Sequence, residues 1–339
     1  MRKVLLSGAG GYIGTVMVKE LLNTGHEVIA LDRYFFGEDK IHNFKCNKLT
    51  LLKDDIRYFD ETLLKDVDIV IDLAGLSNDA TAEINPVFTK EINCDGSIRL
   101  AELAKRYNVT QCIYSSSASV YGAGGKKALQ ETDKLNPLTD YSKSKEIVED
   151  RLKELQDDKF HITLLRNSTV YGLSPRMRFD LAVNIMTYRA WKEGIIYVMG
   201  DGLQWRPFVH VRDVVKAFLL AIDNKKAYGE TFNVGSNEQN YTLKDLAATI
   251  SRYTKDTKVT FIPNSPDHRT YNVNFDKISN VLGFKPSFTI KDGVLEIEQA
   301  LIDGTLVDND PTHHTLKWYQ TLIKYNKIIE GVKKYDRIL

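Results

Sequence analysis

Three short stretches of this 339-residue chain carry side chains that could do chemistry. In "DYSKSKEIVED", Tyr141 and Lys145 lie four residues apart at the start of an amphipathic helical pattern, and this spacing puts them on one face of a helix. A phenol has an ordinary pKa of about 10, and a neighbouring ammonium stabilises the phenolate that a proton-abstracting base requires. The pattern therefore indicates a tyrosine base with a lysine partner, although the same spacing is common on exposed helices.

A second stretch, "YSSSASVYG" over 114–122, holds four serines and two tyrosines directly after an apolar run. The run "QCIYSS" predicts a buried strand. Open α/β sheets bind their ligands at the carboxyl ends of the strands. We therefore expect the serine hydroxyls of this stretch to lie in an active site.

The third stretch is the glycine-rich "GAGGYIG", which follows the apolar run "KVLLS" and leads into a helical pattern. Gly8, Gly11 and Gly14 permit a tight turn and a close approach of the backbone to a pyrophosphate at a helix N-terminus. The second predicted strand ends at Asp32, whose carboxylate can bind the adenosine ribose and would repel a 2′-phosphate. The arrangement predicts a dinucleotide site that favours NAD over NADP, a preference that Arg33 could weaken.

Strand patterns alternate with helical patterns through the first half of the chain. "KVLLS", "EVIAL", "LTLLK", "DIVIDLA", "QCIYSS" and "ITLLR" have the composition of buried strands. The alternation predicts an α/β fold with a Rossmann-type doubly wound parallel sheet and a smaller C-terminal substrate lobe. We predict an NAD-binding domain over 1–170, a substrate lobe over 171–312 whose segment near 208–235 returns to the first domain, and a helical tail over 313–339 that packs on the protein or joins a subunit contact.

Composition limits the class of function. The 46 basic and 45 acidic residues leave a formal net charge of +1, which gives no sign of nucleic acid or of an anionic membrane as a partner. No run of about 18 apolar residues occurs, so we expect no membrane span. Cys46, Cys94 and Cys112 have the spacing of neither a disulfide framework nor a metal site, and His313 and His314 lack further ligands nearby. We therefore expect a cytoplasmic protein without a metal.

Motifs along nearly the whole chain resemble the extended short-chain dehydrogenase/reductases, in the nucleotide-sugar epimerase/dehydratase branch. They are "GAGGYIG", "DDIR", "LAG", "SSSASVYG", "YSKSK", "LRNSTVYG", "RPFVHVRDVV" and "VLGFKP". The resemblance implies that Tyr141 is the catalytic base, that Lys145 lowers its pKa and holds the nicotinamide ribose, and that Ser117, or alternatively Ser116, bonds to the sugar hydroxyl. It also implies an NAD-binding set along the dinucleotide path that comprises Gly8, Gly11, Tyr12, Ile13, Gly14, Asp32, Arg33, Asp55, Ile56, Leu73, Ala74, Gly75, Asn93, Tyr141 and Lys145.

For the substrate, the resemblance implies a nucleotide-diphosphate sugar. Arg206 of "QWRPFVHV" matches the family arginine that binds the diphosphate, for which a bidentate guanidinium is suited, although the usual Asp after it is Pro207 here. The segments "SPRMRFDLAVN" and "PDHRTYNV" look like a subgroup that includes enzymes modifying nucleotide-linked heptoses. The remaining candidate substrate contacts are Ser117, Ser119, Thr169, Arg176, Arg178, Asn184 and Arg269.

The residues after Ser117 bear on the type of reaction. In this branch, 4,6-dehydratases carry an acidic pair where this chain has Ala118 and Ser119, and decarboxylases commonly carry a Glu there. Neither residue can move a proton at neutral pH, which disfavours dehydration. We predict oxidation of a sugar at C4 by hydride transfer to NAD, followed by epimerisation, in surface polysaccharide or sugar-nucleotide biosynthesis. A net 4-dehydrogenase or a 4-ketoreductase would use the same residues, and these alternatives remain open.

Two other classes of protein compete with this interpretation. A non-catalytic NAD sensor or nucleic-acid-binding relative is expected to lose Tyr141 or Lys145 or to gain a basic surface, and this chain does neither. A reductase of small carbonyl compounds would not need Arg206 or the second lobe, because its substrate carries no nucleotide. The resemblance also implies a homodimer through the helix around "SIRLAELAKRYN" and the helix that carries Tyr141.

Overall fold

The structure is a computed structural model that describes residues 1–42, 44, 46–263, 269–334 and 337. Its strands are β1 (Lys3–Ser7), β2 (Glu27–Asp32), β3 (Leu49–Lys53), β4 (Ile69–Asp72), β5 (Gln111–Ser117), β6 (Gly125–Leu129), β7 (His161–Asn167), β8 (Thr169–Tyr171), β9 (Ile195–Met199), β10 (Trp205–His210), β11 (Glu230–Val234), β12 (Asn240–Thr242), β13 (Lys258–Ile262) and β14 (Tyr271–Val273). Its α-helices are α1 (Tyr12–Asn23), α2 (Asp39–His42), α3 (Asp79–Ala82), α4 (Pro86–Thr89), α5 (Ser97–Arg106), α6 (Asp140–Leu155), α7 (Ala182–Glu193), α8 (Val211–Ala221), α9 (Leu243–Ser251), α10 (Asp276–Leu282), α11 (Ile290–Ile302) and α12 (Thr315–Val332).

A seven-stranded sheet forms the centre of the molecule, in the order β11-β7-β5-β4-β1-β2-β3. Every neighbouring pair in it is parallel. The six strands predicted from apolar runs are β1 to β5 and β7. The prediction of a Rossmann-type doubly wound parallel sheet is therefore confirmed.

Both faces of this sheet are covered by helices, which explains the uninterrupted apolar strands. On one face, Val4 and Leu6 of β1 join a buried cluster with α1 and α8. On the other face, Leu5 joins a separate cluster with α5 and α6. Because side chains alternate along a strand, a strand that is covered on both sides must be apolar at every position.

A second lobe follows β7. Strands β8, β10 and β12 form a small sheet, and β9 pairs with β13 beside it. Helices α7 and α9 pack there over a third apolar cluster. From β10 the chain runs into α8, which packs on α1, and then into β11 at the edge of the central sheet.

Helix α6 begins at a well-defined capping box. Thr139 Oγ1 accepts a hydrogen bond from the Ser142 backbone N–H at 3.2 Å, and Ser142 Oγ accepts one from the Thr139 N–H at 3.0 Å. Reciprocal bonds of this kind satisfy two N–H groups that a helix N-terminus otherwise leaves unpaired. They set the start of the helix at Asp140, so that Tyr141 lies in its first turn and Lys145 one turn later.

Helix α12 lies across the chain's first domain. Trp318 Nε1 donates a hydrogen bond to the Phe35 carbonyl at 2.6 Å, and the Tyr319 ring packs edge-on against Phe35 and Phe36. From Ile323 onward the helix is exposed. Of the predicted tail, residues 335, 336, 338 and 339 lie outside the described residues. Among the helices in the described part of the chain, none combines the length and apolarity that a membrane span requires.

Candidate active site

The turn between β1 and α1 packs tightly on the end of β4. Gly8 has a φ of +70°, and a Cβ there would lie 2.7 Å from the Leu73 carbonyl carbon and 2.8 Å from the Ala74 nitrogen. A Cβ at Gly14 would overlap the Gly8 carbonyl oxygen. Helix α1 has no side-chain cap at Gly11 and no acidic residue in its first turn. Its N-terminal N–H groups thus remain available to an anion.

Asp32 ends β2 beside this turn. Its carboxylate accepts hydrogen bonds from the Gly10 N–H at 3.0 Å and from the Tyr34 N–H at 2.6 Å. Burial raises the pKa of Asp32, and these two hydrogen bonds act in the opposite direction. The carboxylate is therefore fixed at the edge of the glycine turn, where a ribose hydroxyl could donate to it.

A cleft that is open to solvent runs along the carboxyl ends of β1, β2 and β4. Twelve predicted cofactor residues line it, namely Gly8, Gly11, Tyr12, Ile13, Gly14, Asp32, Arg33, Asp55, Ile56, Leu73, Ala74 and Gly75. Asn93 does not line the cleft: its amide accepts from the Leu76 N–H at 2.8 Å and donates to the Leu76 carbonyl at 3.1 Å. Asn93 thereby holds the loop that follows β4.

Thirteen other residues line the cleft, and six of them are aromatic or come from parts of the chain that follow β8. Arg176 and Arg178 were assigned to the substrate, and Phe35, Phe36, Thr315 and Tyr319 carried no assignment. The last two belong to α12, so the tail forms part of the cleft wall. No local motif connects α12 with the β2 end, and only the tertiary fold brings them together.

Asp55 connects two arginines at one end of the cleft. Arg33 donates to it at 2.9 Å, and Arg57 Nε and Nη2 each donate at 2.9 Å. Burial on its own would raise the pKa of Asp55, but the hydrogen bonds from Arg57 and Arg33 outweigh it and lower the pKa to about 2. Arg33 is thus engaged with Asp55 while its side chain stays about half exposed.

Tyr141 and Lys145 lie against the end of β5, next to the cleft. Lys145 Nζ donates to the Ser115 carbonyl at 2.8 Å and lies 5.8 Å from the centroid of the Tyr141 ring. Burial lowers the pKa of Lys145 to about 8. Burial and the charge of Asp79 raise the pKa of Tyr141 to about 12, while Arg178 and a hydrogen bond with Ser117 oppose that rise.

This charge distribution differs from the sequence-based expectation. Lys145, together with the oxidised nicotinamide, was expected to lower the pKa of Tyr141, whereas among the protein's own cations Arg178 is the one that lowers it most. The physical reason is that the Lys145 ammonium is bonded to the Ser115 carbonyl and lies over the Tyr114 ring, 4.5 Å from its centroid. Arg178 was missed as a partner of Tyr141 because 37 residues separate them.

The structure distinguishes the two candidate serines. Ser116 is buried and donates to Glu149 Oε1 at 2.5 Å, within the core under α6. Ser117 is partly exposed, accepts from the Ser119 N–H at 3.2 Å and bonds with Tyr141. Ser117 is therefore the serine beside the tyrosine.

A buried ion pair fixes α6 to the sheet. Glu149 of α6 is fully buried, and Arg166 of β7 donates to it through Nη2 at 2.7 Å and Nε at 2.9 Å. Arg166 Nη1 also donates to the Tyr121 hydroxyl at 2.9 Å. Since Ser116 donates to the same carboxylate, β5, β7 and α6 are joined at one point, which positions Tyr141 relative to Ser117.

Two arginines of the predicted substrate set meet at the second lobe. Arg206 is buried and donates to the carbonyls of Trp205, at 2.7 Å, and Arg269. Arg269 forms an ion pair with Asp79, which also accepts from Thr139 Oγ1 at 2.5 Å. Because Thr139 caps α6, this chain of contacts joins the second lobe to the start of the Tyr141 helix. Pro266 to His268, in the motif that precedes Arg269, lie outside the described residues.

The other predicted substrate contacts occupy different environments. Ser119 Oγ is buried and has no hydrogen-bond partner among the described residues, and Thr169 lies in β8 beside Phe208 of β10. Asn184 is fully buried. Its amide donates to the Tyr12 hydroxyl and the Arg178 carbonyl and accepts from the Gly172 N–H. Its assignment to the substrate is corrected, since both of its donors are used inside the protein.

The Tyr12 hydroxyl, like the Asn184 amide, forms its hydrogen bonds within the protein. Its hydroxyl donates to the Gly172 carbonyl at 2.5 Å, so the ring ties α1 to the second lobe. Burial raises its pKa, and the hydrogen bond from Asn184 opposes this. Tyr12 thus lines the cleft with its hydroxyl turned into the protein.

His313 makes the attachment of α12 sensitive to acid. Burial lowers its pKa to about 4, and Lys40, Arg176 and His314 act in the same direction against Asp310. The unfolded chain, with a histidine pKa of about 6.5, then binds more protons between these values, so stability falls as pH falls from about 6.5 towards 4. We expect His313→Gln to lose less thermal stability than the parent protein over this range. Equal losses of melting temperature in the two proteins would contradict the assignment.

The cleft and its neighbouring residues fit a dinucleotide. The turn at Gly8 has no room for a side chain. The Asp32 carboxylate is held at the edge of that turn, where it could accept from a ribose hydroxyl. Arg176 is a buried cation whose Nε has no hydrogen-bond partner among the described residues. No group of His, Cys, Asp and Glu that could hold a metal occurs within those residues. Tyr141 and Lys145 are not among the lining residues, but Arg178 lines the cleft and its charge acts on Tyr141. With this phenol near a dinucleotide cleft, the site defines a Rossmann-type dinucleotide-dependent oxidoreductase.

The comparisons with known proteins agree with this class. Residues 4–235 match the profile of the NAD dependent epimerase/dehydratase family, and the chain belongs to that family. The resemblance to the nucleotide-sugar epimerase/dehydratase branch of the extended short-chain dehydrogenase/reductases is thus confirmed, the protein is an enzyme of that type, and its cofactor is NAD.

Three relatives illustrate the similarity. A Methanocaldococcus jannaschii protein, provisionally named a UDP-glucose 4-epimerase, is 30% identical over 302 residues, which cover 87% of this chain and 96% of the relative. UDP-N-acetylglucosamine 4-epimerase from Methanobrevibacter ruminantium, solved with UDP-N-acetylmuramic acid, is 25% identical with a TM-score of 0.81, over 89% of this chain and 99% of that one. UDP-glucuronic acid 4-epimerase from Bacillus cereus, solved with UDP-glucuronic acid and NAD, is 25% identical with a TM-score of 0.77 over the same shares.

Proposed function

We propose that this protein is a 4-epimerase of a nucleotide-diphosphate sugar in which Tyr141 accepts the proton of the C4 hydroxyl. When bound, NAD would take up the C4 hydride and return it to the other face of the sugar, and its oxidised ring would add a positive charge near the phenol. The observation that carries the proposal is the grouping of Tyr141, Ser117 and Lys145 at the end of β5, beside the dinucleotide cleft.

Each residue near the sugar would have a separate role in the reaction. Ser117 would hold the sugar hydroxyl against Tyr141, and Lys145 would support the ribose of the nicotinamide end. Because the pKa of Tyr141 is about 12 without ligands, the phenol is protonated at neutral pH and must be made more acidic when the ligands bind. Arg178, whose charge already lowers that pKa, would assist.

Ala118 and Ser119 favour redox chemistry over elimination. Ala118 is buried and has no ionisable group, and Ser119 Oγ has no partner in the described part of the chain that could make it a base. Dehydration and decarboxylation would need an acid at this place. Of the relatives named above, two are 4-epimerases that were solved with UDP-linked ligands, and the third is provisionally named one, which supports a UDP-linked sugar as the first substrate to test.

The second lobe would hold the nucleotide. We assign Arg206 to the diphosphate and Arg269, Ser119 and Thr169 to other parts of the substrate. Arg206 and Arg269 are joined through the Arg269 carbonyl, so their guanidinium groups belong to one region next to α6. A net 4-dehydrogenase or 4-ketoreductase would use the same arrangement, and only the fate of the keto sugar separates these reactions from epimerisation.

The test is a panel of UDP-glucose, UDP-N-acetylglucosamine, UDP-glucuronic acid and nucleotide-linked heptoses, followed by NMR and by the absorbance of reduced NAD. We expect one of them to give its C4 epimer without net reduction of NAD. A keto sugar formed in equal amount with reduced NAD would identify a dehydrogenase. Unchanged substrates and unreduced NAD across the panel would contradict the proposal. Free UDP is the control, because it can occupy the nucleotide site but offers no sugar carbon.

We also propose a homodimer formed through α5 and α6. Ile147 is about half exposed on α6, and Val87 and Phe88 are exposed on the neighbouring α4. An apolar surface of this kind supports a subunit contact. We keep the division into an NAD-binding domain over 1–170, a substrate lobe over 171–312 and a tail, and we propose the cytoplasm as the compartment.

A further inference from the structure

One wall of the NAD cleft comes from parts of the chain that lie outside the glycine turn and the strand ends. Arg176, which follows β8, lines the cleft together with Thr315 and Tyr319 of α12. These residues lie in the same cleft as Gly8 and Asp32. The wall therefore faces whatever the glycine turn binds.

Arg176 is a buried cation that no carboxylate in the described part of the chain contacts directly. The charges of Asp180 and Asp32 act on it from a distance, and Thr315 Oγ1 donates to Asp180 at 3.0 Å. Its side chain is 2% exposed, and its guanidinium carbon lies 3.6 Å from the centroid of the Phe36 ring. Nη2 donates to Thr315 Oγ1 at 2.9 Å, but within the described ranges Nε has no hydrogen-bond partner and no carboxylate forms an ion pair with Arg176. Burial lowers its pKa to about 10, so it remains charged at neutral pH. A buried, unpaired charge is costly unless a ligand of opposite charge completes the site.

The surroundings of Arg176 indicate which part of a dinucleotide it would meet. The charge of Asp32, where the adenosine ribose is expected, acts on Arg176. So does the charge of Arg178, which in turn acts on Tyr141 at the nicotinamide end. Arg176 also lines the same cleft as Gly8 and Asp32 on the adenosine side and Arg178 on the side of Tyr141. In a dinucleotide, the part between the two ribosides is the pyrophosphate.

The start of α12 adds a second feature that suits an anion. Thr315 is the first residue of this 18-residue helix and lines the cleft. The first turn has no acidic side chain and no side-chain cap. The N-terminus of a long helix carries a partial positive charge and unpaired N–H groups. The same end of the helix also orients Arg176 through Thr315.

We propose that Arg176, held by Phe36 and Thr315, binds the pyrophosphate of NAD from the side of the second lobe and α12. The assignment moves Arg176 from the sugar nucleotide to the cofactor. It gives the tail a function, since α12 supplies the hydrogen bond that positions the guanidinium. It rests on the NAD cleft and does not depend on which sugar is the substrate.

The test measures binding to the full-length protein after removal of any copurified NAD. Isothermal titration calorimetry gives the Kd values of adenosine, AMP, ADP, NAD and NADP for the parent protein and for Arg176→Gln. Charge-assisted hydrogen bonds of this kind correspond to about 10- to 100-fold in affinity. We expect that loss for ADP and NAD, a smaller loss for AMP, and an unchanged affinity for adenosine. Arg176→Lys should recover part of the lost affinity. Thr315→Val should weaken binding of the same ligands in the same order, but only by a few-fold.

Arg252→Gln is the matched control, because Arg252 is exposed at the C-terminal end of α9, does not line the cleft, and should leave all five affinities unchanged. Unchanged NAD and ADP binding in Arg176→Gln would overturn the proposal. So would equal losses for adenosine and ADP in both Arg176 variants, or a loss confined to NADP, which would place Arg176 at a 2′-phosphate. These measurements need no sugar and no turnover, so they can fail while the proposed epimerase function stands.

Discussion

Tyr141→Phe is expected to lower turnover by about 10²- to 10⁴-fold and to leave NAD binding unchanged. The substitution removes only the hydroxyl, so the ring keeps its packing beside Ser117 and the capping box of α6 is untouched. The measurement is the turnover number with the sugar nucleotide that the panel identifies, together with the Kd of NAD.

Tyr253→Phe is the matched control, since Tyr253 lies at the surface after α9 and should behave like the parent protein. Full activity in Tyr141→Phe would remove the proposed base. A parallel loss of NAD binding would show that the hydroxyl serves the cofactor instead of the proton transfer.

Arg166→Met is expected to destabilise the protein by about 3–5 kcal/mol, because it removes the buried partner of the Glu149 carboxylate and, within the described residues, leaves only Lys153 Nζ, at 3.8 Å, as a cation beside it. The Arg166 and Glu149 side chains are both almost completely buried, so water cannot replace the lost hydrogen bonds. The free energy of unfolding from urea titrations measures the effect. Activity should fall as well in conditions where α6 loosens, because this helix carries Tyr141.

The double variant Glu149→Leu/Arg166→Met tests the cause. Replacing both partners of a buried pair by apolar groups is often close to neutral, so the double variant should recover most of the lost stability. If it is no more stable than Arg166→Met, the loss comes from packing and not from the unpaired charge. Arg151→Met, in an exposed ion pair with Glu154, is the surface control and should change stability little.

The central sheet could be predicted because its signal is local. Each of β1 to β5 and β7 contains a short apolar run, and the inner strands are covered on both faces. The prediction of a buried strand was wrong for β3, which lies at the edge of the sheet and is partly exposed. Strands β6, β8, β12 and β14 carry no such signal, since they lack an apolar run and pair with strands from distant parts of the chain. Pro207 lies within β10, where a sequence pattern would argue against a strand.

In the site, too, residues placed by local spacing could be predicted, whereas contacts between distant parts of the chain could not. Gly8, Asp32 and Tyr141 could be predicted because turns, strand ends and helix starts impose local spacings. The contact of Trp318 with Phe35 joins residues 283 positions apart, and no local pattern indicates it. Asn184 was misassigned because a polar residue next to a functional motif looks like a ligand contact, whereas the fold uses its amide to join α1 to the second lobe.

The position of β11 has a consequence for how the two lobes hold together. This strand follows the second lobe in sequence, yet it pairs with β7 over five residues at the edge of the central sheet. A chain that ended at the border between the lobes would leave β7 as an open edge, with unpaired backbone groups and without the cover of α8. The central sheet therefore includes a strand that the chain reaches only after passing through the second lobe, and a change that unfolds the segment from β8 to β11 also removes this strand from the sheet.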